Sequence, residues 1–277
     1  MEIQFYSFWG GFHNQPDFKN VCQFFLDICK GLPYDKIEVW SVFGQTPPVH
    51  KKENVLRIQW SGESSVRDVK LYDINLIPAA PSKNVIPFSL AQFDFHASDR
   101  SLLTAPRKYK QGGRFCTFIV SNGNSPVRTN FFRELSKHVF VDSCGGFLKN
   151  WSGPPAPQFN TNEYFTFLNS WKFMICFENT KHDYYFTEKL LNAYCGGTIP
   201  IYWGCPQIKE YINEKAVLIL EENTPQSVNK LIDRIIELNN NEELYIQMYN
   251  QPFFKNNEIP YIFTKEYLNQ ELKEKLV

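Results

Sequence analysis

The sequence predicts an α/β protein built on parallel sheets in two units, and three observations predict it. Apolar runs of strand length alternate with segments whose apolar residues recur at helical spacing, the pattern of consecutive βα units. A polar, basic stretch containing Gly and Pro, residues 101–114 (SLLTAPRKYKQGGR), breaks that alternation and reads as an interdomain linker. The 277 residues suffice for two domains of ordinary size. The boundary falls near residue 110. It separates a smaller α/β domain, 1–110, from a second one, 111–277, which carries the terminal helices.

The first unit opens with a strand over 3–9 closed by Gly10-Gly11, then a helix over 18–29 with Val21, Phe24, Phe25 and Ile28 on one face. Strands are expected over 37–43, 55–60 and 69–77, each bounded by Gly, Pro or Ser clusters. Beyond the linker the expected order is strand 115–120, helix 127–137, strand 139–142, a Gly-rich loop and helix 163–168. Strand 173–177, helix 188–195, strands 199–203 and 216–220 and helix 226–238 follow. The polar, periodic close, 242–276, reads as two helices packing on the outside. Such alternation implies a doubly wound sheet, in which ligands bind at the carboxyl ends of the strands.

Composition removes several functions. Lys plus Arg and Asp plus Glu both number 29, so no global field draws the chain to nucleic acid or anionic lipid, and any phosphate recognition has to be local. A 16% share of aromatic residues speaks against disorder and suits both cores and sugar-binding faces. The seven cysteines form an odd set with no CxxC pair, which reads as reduced, buried thiols and not as a disulfide framework or structural metal site. No basic leader and no run approaching 18 apolar residues is visible, so a protein without a transmembrane segment is expected. Its expected place is the cytosol of a bacterium or a viral host, unless the chain is a truncated soluble form.

The chemistry is expected at two strand-to-helix junctions. After strand 115–120, Ser125 stands where a cap belongs and Pro126 at the first helical position, which puts Arg128 in the first turn. After strand 173–177, Thr187 is the natural cap, Lys189 falls in the first turn and Gly196-Gly197 ends the helix. A cation there opposes the helix dipole, at a cost of up to about 1 kcal/mol unless an anion lies beside it. Either cation alone reads as an ordinary solvated helix residue. Two in equivalent positions point to one anion: Arg gripping two oxygens, Lys as a point charge, helix amides between them, together a diphosphate pocket of the kind that holds a nucleotide sugar. No Asp-x-Asp is present to hold a divalent ion on that diphosphate, so no metal is expected as a requirement, although an ion bridging the phosphates could stimulate. GxGxxG, GxxxxGK[ST], GxSxG and HExxH are absent too, and the five His are scattered.

The stretch Lys172-Phe173-Met174-Ile175-Cys176-Phe177-Glu178-Asn179, then Tyr185-Phe186-Thr187-Glu188-Lys189-Leu190-Leu191-Asn192-Ala193-Tyr194, then Gly197-Thr198-Ile199-Pro200-Ile201-Tyr202-Trp203-Gly204, closely resembles the signature of the α-1,3-fucosyltransferases of glycosyltransferase family 10. Upstream, Ser121-Asn122, Pro126-Val127-Arg128 and Val141-Asp142-Ser143-Cys144-Gly145-Gly146 resemble two further elements of that family. The resemblance implies a GT-B type fold of two Rossmann-like domains facing across a cleft, with GDP-fucose as the donor and inversion at the anomeric carbon. The expected product is a fucosyl link to a hydroxyl, O3 of GlcNAc or Glc, on a GlcNAc- or LacNAc-like oligosaccharide acceptor. By matching position, Arg128 and Lys189 contact the diphosphate, and Glu178, Asn179, Tyr185 and Glu188 line the donor site.

In the first unit the match thins to Phe8-Trp9-Gly10-Gly11 and Trp60-Ser61-Gly62-Glu63, and the second of these gives Glu63 the role of general base. Glu63 also reads as a capping or solvated residue of a Gly/Ser loop. Two other functions stay open at this level: a transferase of the same fold with another nucleotide sugar or linkage, and a silent protein that binds GDP or a glycan without turnover.

Overall fold

The computed structural model describes residues 1–14, 18–97, 99–109 and 112–276. Contacts divide it into two compact units: residues 1–98 with 182–185 and 259–277, and residues 99–181 with 186–258. The expected boundary residue, Lys110, lies outside the described residues.

The first unit is built on β1 (Glu2–Tyr6), α1 (Phe18–Ile28), β2 (Lys36–Trp40), β3 (Val55–Trp60), β4 (Ile74–Ile77), β5 (Val85–Pro87) and α2 (Leu90–Ala97). Its five strands pair in sequence order, all parallel. The inner strands β3 and β4 are buried at every position, as strands covered on both faces are. The amphipathic stripe of α1, Val21, Phe24, Phe25 and Ile28, closes one side of the core. The expected strand over 69–77 starts later than its pattern suggested: Asp68 accepts from the Lys70 amide and caps a short 3-10 turn over Val69–Leu71, delaying the strand to Ile74. Neither β5 nor α2 was expected.

The second unit runs β6 (Arg114–Phe118), α3 (Pro126–Ser136), β7 (Val141–Ser143), α4 (Asn162–Leu168), β8 (Trp171–Ile175), α5 (Glu188–Cys195), β9 (Ile199–Tyr202), α6 (Ile208–Tyr211), β10 (Leu218–Ile219), α7 (Pro225–Asn240) and α8 (Glu242–Tyr249). Its strands are all parallel and order β7-β6-β8-β9-β10, so the direction of winding reverses between β6 and β8. That is the doubly wound arrangement with its switch point at those two strands. The core joins strand residues such as Phe118, Phe173, Ile175 and Ile201 to Val228, Leu231, Ile232 and Ile235 on α7, each side chain contributing roughly 1.5–3 kcal/mol by burial.

Two expectations on organisation are corrected. The terminal helix α9 (Lys265–Leu276) was assigned with residues 111–277, but Leu268 and Leu272 are buried in the core of the first unit. Lys265 pairs with Asp27 on α1 at 2.6 Å, and the Asn269 amide donates to the carbonyl of Ile28 at 2.7 Å. That ion pair holds the Asp27 carboxyl below its ordinary pKa. The stretch read as a linker is also part of a packed unit. The Arg107 guanidinium lies 4.1 and 3.9 Å from the ring centres of Tyr194 and Tyr249 and donates to the carbonyls of Thr198 and Tyr249. Burial lowers its pKa. No helix among the described residues is long and apolar enough to cross a membrane, and all seven cysteines are free, six of them buried.

Candidate functional site

At the carboxyl edge of β6 and β8, where the winding reverses, lies a cavity of about 180 Å³. Arg128, Asn179, Glu188 and Lys189 line it together with Asn122, Phe159, Tyr164 and Asn192. The two first-turn cations therefore meet at one cavity, each delivered by a helix that starts where the sequence placed it.

The helix ends explain why an anion suits this place. Ser125 and Thr187 occupy the cap positions of α3 and α5, yet neither side chain caps its helix. By contrast, Thr161, Thr224 and Asn241 each accept from a first-turn amide of α4, α7 and α8. α3 and α5, the helices that bring Arg128 and Lys189 to the cavity, thus start with no side-chain cap on their first-turn amides, the arrangement that favours an incoming anion.

Arg128 is buried and fixed. Its Nη1 donates to Asn179 Oδ1 at 2.8 Å and its Nη2 to the Asn122 carbonyl at 3.1 Å, tying the β6–α3 junction to the β8–α5 junction. Lys189 Nζ lies 2.8 Å from Thr187 Oγ1, 3.3 Å from Glu178 Oε2 and 3.9 Å from Glu188 Oε1. The Thr187 hydroxyl, which would otherwise cap α5, is engaged by Glu178 and Lys189, which leaves the helix end open.

Glu178 does not line the cavity. It is fully buried behind the wall, accepting from the Thr187 amide at 2.7 Å and hydroxyl at 2.9 Å, and it holds Lys189 from below. Burial raises its pKa, an effect the charge of Lys189 opposes. Gly204 is required at this spot: a Cβ there would come within 2.5 Å of Glu178 Cγ and 2.7 Å of the Tyr202 hydroxyl. Tyr185 is likewise buried and lines no part of the cavity; residues 182–185 group with the first unit.

A second cavity of about 320 Å³ adjoins the first, sharing Ile119, Val120, Ser121 and Phe159 and bounded by Cys144, Gly145, Gly146 and Lys149. Gly145 lies so close to the chain leaving β6 that a Cβ would meet the Val120 carbonyl oxygen at 2.2 Å. A larger cavity in this unit, about 440 Å³, has a separate lining that includes Arg107, Tyr194 and Tyr249. The guanidinium of Arg107 is bound there to backbone carbonyls, so the chemistry points to the smaller pair.

Sequence reasoning passed over the residues that order this wall. Arg100, just before the expected linker, is buried and donates from Nη1 to Asn192 Oδ1 at 2.8 Å and from Nη2 to Asn160 Oδ1 at 2.9 Å. It thereby clamps α5 to the loop that carries Phe159. Phe159 meets Tyr164 edge-on at 5.1 Å, and burial pushes the Tyr164 hydroxyl pKa up. No local pattern flags these contacts; Asn192 alone lay inside the quoted motif.

Glu63 lies in the first unit, partly exposed in the loop after β3. Ser61 shapes that loop: its hydroxyl accepts from the Glu63 amide at 3.2 Å and donates to the Ser65 carbonyl at 2.8 Å. Beneath it the buried Gln59 accepts from the Arg67 amide at 2.6 Å and donates to Asn75 at 2.5 Å. The loop is held in place by a buried polar network.

Residues 108–261 match the family model described as glycosyltransferase family 10 (fucosyltransferase), C-terminal. The chain belongs to this family. An α-(1,3)-fucosyltransferase of Helicobacter pylori is 34% identical over 139 residues, 50% of this chain and 27% of that protein. A GDP-fucose protein O-fucosyltransferase 3 of Danio rerio is 30% identical over 156 residues, 50% of this chain and 34% of that protein. The chain thus spans about a third or less of these curated relatives. A crystal structure of an α1,3-fucosyltransferase with GDP superposes over 99% of this chain and 89% of its own, with a TM-score of 0.74 and 21% identity. One with GDP-fucose gives 0.70 at 20% identity, covering 99% and 90%. At such identities the likeness shows the fold, a GT-B type, for this family 10 chain. Among the described residues no group of three or more His, Cys, Asp or Glu is placed to hold a metal ion.

Proposed function

We propose that this chain is a GDP-fucose-dependent fucosyltransferase that inverts the anomeric carbon and transfers L-fucose to a glycan hydroxyl, O3 of GlcNAc or Glc. One observation carries the reading: Arg128 and Lys189 line a single cavity between uncapped helix ends at the switch point of the second sheet. Two cations and two sets of helix amides complement a diphosphate without a dedicated metal, and the adjoining 320 Å³ cavity offers room for a base.

In the reaction, the acceptor oxygen attacks the anomeric carbon from the face opposite the phosphate. The bond to the β-phosphate oxygen breaks and GDP departs. Glu63 takes the proton of the attacking hydroxyl. Arg128 and Lys189 share the negative charge that grows on the diphosphate, so positioning and electrostatics supply most of the acceleration. Glu188, on the cavity wall, steadies the positive charge on the fucosyl ring or holds its hydroxyls. Asn179 fixes the Arg128 guanidinium, and Glu178 fixes Lys189. Tyr185 is kept as a donor-site residue on the family pattern alone. Free cysteines suit a reducing compartment such as the cytosol.

The relatives divide on the acceptor, one named for a glycan linkage and one for protein O-fucosylation. The test is donor consumption with each acceptor class. GDP-fucose, UDP-N-acetylglucosamine and UDP-galactose are each incubated with N-acetyllactosamine or a folded protein acceptor in EDTA. The expected result is a fucosylated N-acetyllactosamine from GDP-fucose alone. Turnover of a UDP-sugar in its place overturns the donor; fucose on the protein acceptor only overturns the glycan assignment.

A further inference from the structure

The carboxyl edge of the first sheet presents more than Glu63. Because β1, β2 and β3 run parallel with Tyr6 beside Trp40 and Trp40 beside Gln59, the loops after them leave the sheet side by side. The first carries Trp9, the second Phe43 and the third Glu63. Trp9 and Phe43 touch edge to face, ring centres 5.7 Å and planes 86° apart, yet they stay 37% and 51% exposed. Two exposed rings in contact on adjacent loops form a local apolar patch, the kind of surface that marks a candidate binding site.

The loops that hold them are tied together by hydrogen bonds. The Phe43 amide donates to the Ser7 carbonyl at 2.9 Å, and the Ser7 hydroxyl to the Gln45 carbonyl at 2.5 Å. Ser7 adopts a left-handed φ of 59°, a strained choice for a residue with a Cβ. Gly44 is pressed against it, with room for no more than hydrogen, since a Cβ would meet Ser7 Oγ at 2.9 Å. Arg67, four residues after Glu63, reaches back with Nη2 to the carbonyls of Val42 and Gly44, at 2.7 and 2.8 Å, on either side of Phe43. Its own amide is anchored on Gln59 at 2.6 Å. Behind the pair, Phe8 stacks on Phe12 at 4.0 Å and on Trp60 at 5.6 Å. Strain, hydrogen bonds and stacking brace the loops that carry the two exposed rings, next to the loop that carries Glu63.

We propose that Trp9 and Phe43 form an acceptor subsite that stacks on the apolar face of a pyranose ring, with Arg67 as its positioning residue. The inference rests on the transferase reading and names the surface by which the first unit recognises the acceptor. A pyranose presents a C–H face that an aromatic ring covers while its hydroxyls stay in water, so a sugar needs preset rings and no deep apolar pocket.

The test is the acceptor KM for N-acetyllactosamine at saturating GDP-fucose, beside the Kd for GDP by calorimetry. Trp9→Ala and Phe43→Ala should each raise the acceptor KM about tenfold, with the GDP Kd at the wild-type value. Phe43→Tyr, which keeps a ring, should restore most of it. Arg67→Ala should raise KM by a smaller factor. An acceptor KM within about twofold of wild type in both alanine variants overturns the subsite. So does unchanged sugar transfer with impaired transfer to a protein acceptor, which makes the surface a protein-docking patch. Should Trp9→Ala not fold, Phe43→Ala decides alone, its ring being half exposed. A wild-type chain that binds no GDP refutes the transferase reading instead. Saturation-transfer NMR with the free sugar still judges the platform: signal lost in Phe43→Ala supports it and signal retained overturns it.

Discussion

Both units rest on a five-stranded, all-parallel sheet, and they differ in what stands at its carboxyl edge. In the second unit the winding reverses between β6 and β8, and the helices that follow these strands turn uncapped ends, Arg128 and Lys189 toward one cavity. In the first unit the order runs straight from β1 to β5, so no reversal opens a crevice; its edge carries two exposed rings and a carboxylate on braced loops. Strand order, more than strand composition, decides whether a parallel sheet offers a place for an anion. Variants on each edge should therefore separate: those in the second unit act on the donor, those in the first on the acceptor.

The largest separation is expected at Glu63. Glu63→Gln keeps the loop but removes the base, so transfer should fall roughly 10²–10⁴-fold while GDP affinity holds. Steady-state rates beside calorimetry read both, and full activity in that variant removes Glu63 from the mechanism. Next, Arg128→Ala should weaken GDP about 100-fold, two charge-assisted hydrogen bonds being lost. It should also lower stability by about 1–3 kcal/mol in urea unfolding, because Asn179 and Asn122 lose a buried partner. Unchanged GDP affinity there would erase the contrast between the edges. Lys189→Ala should cost GDP binding about tenfold, less than Arg128, since its charge is shared with Glu178 and Glu188.

The smallest effect is a pH dependence at Glu178. Burial raises its pKa, so ionising it is harder in the folded chain than in the unfolded one. Its contribution to stability is therefore whole below the ordinary Glu value of about 4.3 and is lost as pH rises through the raised folded value. Against Glu178→Gln, wild type should lose stability over that rise and run parallel above it. Unfolding curves across the acid-to-neutral range that stay parallel throughout, or diverge in wild type's favour, contradict this placement of the carboxyl.

Much of the fold could be read from local punctuation. Thr187 before and Gly196-Gly197 after bound α5 at Glu188–Cys195, and Pro126 starts α3. Where punctuation is weak, reading failed: β5 is three residues long and ends in Pro87, so neither it nor α2 stood out. The apolar spacing of Leu268 and Leu272 tells which face of α9 is buried but not against which core, and the helix was placed with the wrong unit. The candidate site shows the same division. Arg128 and Lys189 were legible because a cation in a first turn violates a local rule. The clamp of Arg100 on Asn192 and Asn160 joins residues 92 and 60 positions apart, and the rings of Phe159 and Tyr164 meet only in the folded chain. Glu178 was legible as a motif residue, but its place behind the cavity wall depends on Thr187 and Gly204 closing over it.

Calorimetric titration of GDP in EDTA, into wild type and into Arg128→Ala/Lys189→Ala, tests the central claim most directly. The account predicts metal-free GDP binding by wild type and its loss in the double variant, with the fold intact. GDP binding that survives in the double variant at wild-type affinity would contradict it.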